Sequence, residues 1–340
     1  MSTHSCDAPR MRSGLVSLCV VLSVGCGSTA DPNEDDASGT TQAGEETSST
    51  SGGEQASSTS GDGDESSTGG DESSTGDDPP TPMWGEPEAL PTPDGACPTF
   101  ESGTLDFAPA ETVGRQARVW VDPEAGGGGP LVFYWHGTGS NPLEAEYGLG
   151  QAGIDDILMR GGMVVAPVAD PEAGQFPWYL VIGQEEDDLH LMDEIVGCAA
   201  QGPGIDPSRI HSIGMSAGGL QTTQASIRRA SYIASTVVYS GGLLDAATPS
   251  DAPDRPLSSM IYHGGPDDIV VISFQQTSER YKTYVDDRDG YSILCDHGGA
   301  HTIPDARIYS WQFVLDHPFG ITPFPYDGAL PEWVPDYCSE

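Results

Sequence analysis

The run Gly214-Met215-Ser216-Ala217-Gly218 sets a serine between two glycines, where a strand-like stretch (209–214) gives way to a helical one (217–229). A serine on such a strand-to-helix turn presents its hydroxyl to solvent, and small neighbours let the backbone pass close to a substrate carbonyl. The hydroxyl is a weak nucleophile until a base takes its proton, and the base must itself be oriented by a carboxylate. Along chains with this turn the acid follows the serine and the base follows the acid. The histidines after Ser216 are His263, His297, His301 and His317. His263 directly precedes Gly264-Gly265-Pro266-Asp267 and suits the shaping of that turn, while His317 stands before Pro318 where it can bond the last carbonyls of a helix. His297 and His301 share a loop with Gly298 and Gly299, and His301 is the preferred base. For the acid, Asp267 and Asp268 both sit at the carboxyl end of a strand, where catalytic loops gather in open α/β sheets. Asp267 is preferred, with Asp268 as a solvated neighbour and Asp245 in reserve. Charge developing on a substrate oxygen needs two waiting N–H donors. Ala217 supplies one, and the loop His136-Gly137-Thr138-Gly139 the other, through Thr138 or otherwise Gly139.

The elements that must hold these residues follow from the hydrophobic pattern. From residue 93 onward, apolar runs of strand length alternate with longer helical patterns, which predicts an α/β domain with a mostly parallel sheet covered on both faces. Strands are expected at 118–121, 131–135, 163–167, 210–213, 234–239, 257–262 and 291–294. The run 131–135, Leu-Val-Phe-Tyr-Trp, is continuous and apolar as a central strand should be, and it leads straight into His136. Leu189, Met192, Ile195, Val196 and Ala199 recur at helical spacing, with Asp187 and Asp188 suited to that helix's positive end. Further helices are expected at 217–229, 273–285 and 305–315. Gly126 to Gly129 read as a hairpin connection between two strands. No long apolar insertion marks a lid, so the site is expected to be open to water.

The first part of the chain reads differently. Arg10 and Arg12 precede an apolar run (15–24) that ends at Gly25-Cys26, the pattern of a secretory signal (1–26). The run is too short to span a bilayer, which takes roughly 20 residues. Residues 22–26, Leu-Ser-Val-Gly-Cys, resemble a bacterial lipobox with Ser23 at a position usually held by leucine, so Cys26 is the candidate for lipidation and membrane anchoring. The expectation is a cell-surface or outer-membrane lipoprotein, with plain secretion as the alternative. Residues 27–92 are Ser, Thr, Gly, Asp and Glu with hardly an apolar side chain and carry the near-repeat DESSTG twice; such a segment cannot bury enough surface to fold and reads as a tether to a catalytic domain, 93–340. The formal net charge of −39 argues against nucleic acid as a partner and against polyanionic substrates. Cys97, Cys198, Cys295 and Cys338 remain once the leader is set aside, which suggests two disulfides in an exported domain with three pairings open. Cys295, Asp296, His297 and His301 offer metal-binding atom types, but the oxidising compartment favours disulfides and no metal is expected.

The stretch 97–103, the strand ending in HGTG (136–139), the lead-in 206–209 to GMSAGG, the turn HGGPDDIV (263–270) and the segment CDHGGAHTIP (295–304) together resemble the secreted feruloyl esterase and polyhydroxybutyrate depolymerase family of the α/β-hydrolase superfamily. The resemblance spans nearly all of the chain after residue 93. It implies an α/β-hydrolase fold and a Ser216, Asp267, His301 triad. It also implies an ester substrate, possibly polymeric, and neither metal nor organic cofactor, and it places Phe176, Trp178 and Tyr179 in a region that in relatives lies near the substrate, where they form a binding wall or else are ordinary core aromatics. The chain departs from the pattern at Ala300, just before the base, and at Ile303, where relatives carry tryptophan; both bear on the substrate rather than the chemistry. Two other functions compete with an esterase: a peptidase of the same fold, and a surface lipoprotein that binds glycan or polymer on an inactive hydrolase scaffold.

Overall fold

The computed structural model describes residues 87–340 apart from 111, 181–185, 245–254 and 306. The signal, the lipidation candidate Cys26, nearly all of the tether and the reserve acid Asp245 lie outside the described residues. Residues 87–92, read as tether, belong with the domain: Leu90 packs on the core, and the Glu88 N–H bonds the Ser231 carbonyl at 3.2 Å.

The strands are β1 (Gly103–Phe107), β2 (Arg115–Val121), β3 (Gly129–Trp135), β4 (Met163–Pro167), β5 (Ile205–Met215), β6 (Ser235–Tyr239), β7 (Ser258–His263), β8 (Ile269–Val270), β9 (Ile272–Ser273), β10 (Tyr291–Asp296) and β11 (Cys338–Ser339). The helices are α1 (Glu144–Gly148), α2 (Gly150–Met159), α3 (Glu186–Gln201), α4 (Ala217–Arg228), α5 (Phe274–Asp286) and α6 (Arg307–Asp316). The main sheet runs β1-β2-β4-β3-β5-β6-β7-β10-β11. Neighbours from β4 to β10 are parallel, and β1–β2, β2–β4 and β10–β11 are antiparallel. β8 and β9 form a separate short hairpin.

Side chains alternate across β3: Leu131, Phe133 and Trp135 enter one core, Val132 and Tyr134 the other. The first core also takes the apolar stripe of α3 (Leu189, Met192, Ile195, Val196, Ala199), and the second takes Ile154 and Ile157 of α2 with Trp311 and Phe313 of α6. Burial on both faces explains why β3 reads as an unbroken apolar run. The parallel β3, β5, β7 and β10 all end at one edge of the sheet, which brings the HGTG loop, Ser216, the 263–268 turn and His301 together.

One local expectation is corrected. The glycine run 126–129 does not close a hairpin, because β2 pairs with β4 and β3 lies on the far side of β4. Glycine marks a turn but carries no information about which strand sits beside which. Asp188 stands in the first turn of α3, the helix end its charge suits. It is fully buried and paired with Arg115 at 2.7 Å, and its other oxygen accepts the Tyr179 N–H at 2.7 Å. Burial pushes its carboxyl above the ordinary range despite those two partners.

The disulfides are Cys97–Cys198 and Cys295–Cys338. The first ties the segment before β1 to α3, and the second fastens the C-terminal strand to β10. Cys295 therefore has a partner other than a metal, and the same holds for Cys97 and Cys198, which converge with Glu194.

Candidate active site

Ser216 sits between β5 and α4 with φ 58° and ψ −121°, in the left-handed half of the map that side chains avoid. The turn is held by the Ser216 N–H bonding the Tyr239 carbonyl of β6 at 2.9 Å. Gly218 and Gly214 are required by space: a Cβ at 218 would lie 1.8 Å from the Trp135 carbonyl oxygen, and one at 214 would lie 2.3 Å from that of Gly218. The spacing seen in the sequence is thus the spacing that lets α4 start flush against the end of β3.

His301 Nε2 lies 2.9 Å from Ser216 Oγ, and His301 Nδ1 lies 2.7 Å from Asp268 Oδ1. The carboxylate can only accept, so Nδ1 carries the proton and Nε2 is the acceptor for the serine hydroxyl. Asp268 Oδ2 accepts the Gly264 N–H at 2.9 Å and the Ser240 hydroxyl at 2.8 Å. Burial pushes the Asp268 carboxyl up, but the hydrogen bonds from His301, Gly264 and Ser240 outweigh it and leave the group below the ordinary carboxylate range. The Phe274 ring lies 4.6 Å from the imidazole at an angle of 30°, closing the other face of His301.

This geometry corrects the acid. Asp267 is exposed at the end of a 3₁₀ turn (Gly265–Asp267), whereas Asp268 is fully buried and makes the contact to His301. The two neighbours are alike in the sequence, and only the turn decides which one faces inward. The remaining histidines fall where their contexts pointed. His263 accepts the Gly265 N–H at 3.1 Å inside its own turn, and His317 donates from Nδ1 to the Phe313 carbonyl at 2.8 Å at the end of α6. His297 accepts the Gly299 N–H at 3.2 Å and does not reach Ser216.

On the opposite side, the N–H of Ala217 opens α4 and has no acceptor among the described residues, as expected for the first turn of a helix. Thr138 is exposed on the loop after β3, and Gly137 in the same loop lies against the nucleophile: a Cβ there would be 3.4 Å from Ser216 Cβ. Both donors named from the sequence are therefore beside Ser216's turn or on the loop that touches it.

Trp178 is not a substrate wall. It is 1% exposed, its ring packs edge-on against Trp135 at 4.9 Å, and its indole N–H donates to the His136 carbonyl at 2.9 Å. Tyr179 is also committed, its hydroxyl to Asp170 at 3.0 Å and its N–H to Asp188. Trp178 thus holds the HGTG loop from behind. Phe176, by contrast, is 38% exposed and lines an open cleft of ≈ 290 Å³ with Thr138, Gly139, Asp170 and Gln175. The apolar residues Ile269, Val270 and Val271, directly after Asp268, are also exposed. Neither Phe176's access to the cleft nor this hairpin has a signal in the sequence that sets it apart from core apolar residues.

No family model matches the chain, and no curated protein matches it. Among solved structures, sOPH aligns with a TM-score of 0.59 at 17% identity, over 74% of this chain and 96% of that one. A variant of pOPH in complex with pNPB aligns at 0.57 and 16% identity, over 74% and 95%. A thermostable esterase aligns at 0.50 and 18% identity, over 63% and 62%. With the sheet order and the strand-to-helix turn at Ser216, these likenesses define the fold: the chain has the α/β-hydrolase fold.

Proposed function

We propose that the protein is an exported serine esterase that cleaves carboxylic esters through an acyl-enzyme at Ser216. The observation that carries this reading is the continuous hydrogen-bonded line Ser216 Oγ–His301 Nε2 and His301 Nδ1–Asp268 Oδ1. His301 takes the serine proton as Oγ attacks the ester carbonyl, and Asp268 stabilises the imidazolium that forms. The N–H groups of Ala217 and Thr138 receive the negative charge on the carbonyl oxygen. His301 then passes its proton to the departing alkoxide, leaving the acyl group on Ser216. Water, deprotonated by the same imidazole, attacks that acyl group, and the proton returns to Ser216 as the acid leaves.

Support for ester over amide substrates comes from the neighbours of like fold, one described as an esterase and one holding pNPB. Export is supported by the leader-like residues 1–26 and by two disulfides, which persist in oxidising compartments. Anchoring at Cys26 is the reading of its lipobox-like context. The acidic chain favours neutral esters over polyanions. The test is hydrolysis of p-nitrophenyl acetate and butyrate, alongside feruloyl and hydroxyalkanoate esters and a peptidyl nitroanilide. Ester turnover that Ser216→Ala abolishes supports the proposal; equal rates in the two proteins, or amide cleavage alone, would end it.

A further inference from the structure

Three backbone groups of the HGTG loop are committed, and the way they are committed singles out one side chain. The His136 carbonyl accepts the Trp178 indole N–H at 2.9 Å. The Gly137 carbonyl accepts the His136 Nδ1–H at 2.9 Å and the Ser140 N–H at 3.1 Å. That last bond closes a turn from 137 to 140 whose third residue, Gly139, has φ +79°, the left-handed value a type II turn demands. The Gly137 N–H donates to Glu144 Oε1 at 3.1 Å. The N–H groups of Thr138 and Gly139 are left with no acceptor among the described residues, and Thr138 is the preferred donor of the two.

We propose that Glu144 is the positioning residue of the oxyanion loop: by taking the Gly137 N–H it fixes the turn that leaves the Thr138 N–H for the substrate oxyanion. Glu144 is held on both sides. Its backbone N–H bonds the Asn141 carbonyl at 2.9 Å at the start of α1, and its Oε1 also accepts the Tyr134 hydroxyl at 3.2 Å from the C-terminal end of β3. Burial, and next the Glu144 charge, push the Tyr134 phenol well above its ordinary range, so it remains a donor. The contact reaches the nucleophile through a single residue. A Cβ at Gly137 would lie 3.4 Å from both Met215 O and Ser216 Cβ, and 3.7 Å from Glu144 Oε2. A carboxylate this near opposes the charge that forms on the substrate oxygen. The benefit therefore comes from the acceptor atom, not from the negative charge.

The inference rests on the esterase reading, and the experiment separates the two. Steady-state kinetics on p-nitrophenyl butyrate, with binding of a boronic acid that mimics the tetrahedral intermediate, are measured for wild type, Glu144→Ala, Glu144→Met and Glu144→Gln, with Ser216→Ala beside them. Glu144→Ala should lower kcat by about 10²-fold, as loss of an oxyanion donor does, with KM little changed and boronate affinity falling in step. Glu144→Met keeps length and helix while removing the acceptor, so it should behave alike and stands in if the alanine variant does not fold. Glu144→Gln keeps an acceptor oxygen and should hold kcat within about threefold of wild type. Full kcat in both acceptor-less variants, or equal damage in Glu144→Gln, would overturn the inference, as would a loss confined to KM with boronate binding intact. If Ser216→Ala is as active as wild type, the esterase reading itself fails. If Ser216 is essential and Glu144 is not, only this inference does.

Discussion

Asp268 gives one carboxylate oxygen to His301 at 2.7 Å and the other to Ser240 and Gly264, so its orientation is set from three sides. Asp267, one residue earlier, points to solvent. Asp268→Asn should therefore lower kcat by about 10⁴-fold by presenting the wrong donor to the imidazole, as such changes do in triad enzymes. Asp267→Asn should leave ester hydrolysis within about twofold, as surface changes away from special contacts do. Parallel kinetics on the two variants check both statements.

Trp178 should act through the loop it supports. Trp178→Phe keeps an aromatic ring against Trp135 but strands the buried His136 carbonyl, at about 1–3 kcal/mol in stability. If about 1.4 kcal/mol of that appears in the transition state, kcat falls tenfold with KM unchanged. Urea unfolding and kinetics on the same preparation measure the two effects.

The buried histidines should make the fold acid-sensitive before its carboxylates titrate. Burial holds His211 at about 3 and His317 at about 4, against 6.5 for the free side chain. Between pH 6.5 and those values the unfolded chain binds protons that the folded chain refuses, so stability rises with pH and is lost as pH falls through this window. Urea titrations at pH 7, 6 and 5 should show stability dropping steadily, by on the order of 1 kcal/mol per histidine for each pH step below 6.5. A flat profile would contradict the burial of neutral imidazoles.

The two disulfides should differ in what they protect. Cys97–Cys198 closes a sequence separation of 101 residues, and losing it should cost about 2–5 kcal/mol. Cys295–Cys338 fastens β11 to β10, and Asp296 N–H bonds the Tyr337 carbonyl at 3.0 Å just before the His301 loop. The Cys295→Ser/Cys338→Ser variant should thus lose turnover in addition to stability, whereas Cys97→Ser/Cys198→Ser should keep its kcat below its melting temperature. Thermal unfolding and kinetics on both double variants distinguish the two roles.

Strands β2 to β7 and β10 and the elbow were legible because each is written in local pattern: apolar runs for buried strands, and small residues where α4 meets β3; β1 and β11, the edge strands, were not expected. What the sequence hid is non-local. The choice between Asp267 and Asp268 depends on the phase of a 3₁₀ turn and on Ser240, 28 residues away. The place of Trp178 depends on a carbonyl 42 residues earlier. The partner of β2 depends on sheet order, which a glycine-rich connection does not encode. α1 and α2 were not expected, because Gly148, Gly150 and Gly153 lie within them and glycine disfavours a helix.

The nucleophile is tested most directly by reacting the protein with a fluorophosphonate and mapping the adduct by peptide mass spectrometry. The expected result is one stoichiometric adduct on Ser216, absent in Ser216→Ala and formed far more slowly in His301→Ala. No adduct on the folded wild-type protein, or an adduct on a different residue that survives Ser216→Ala, would contradict a nucleophilic Ser216.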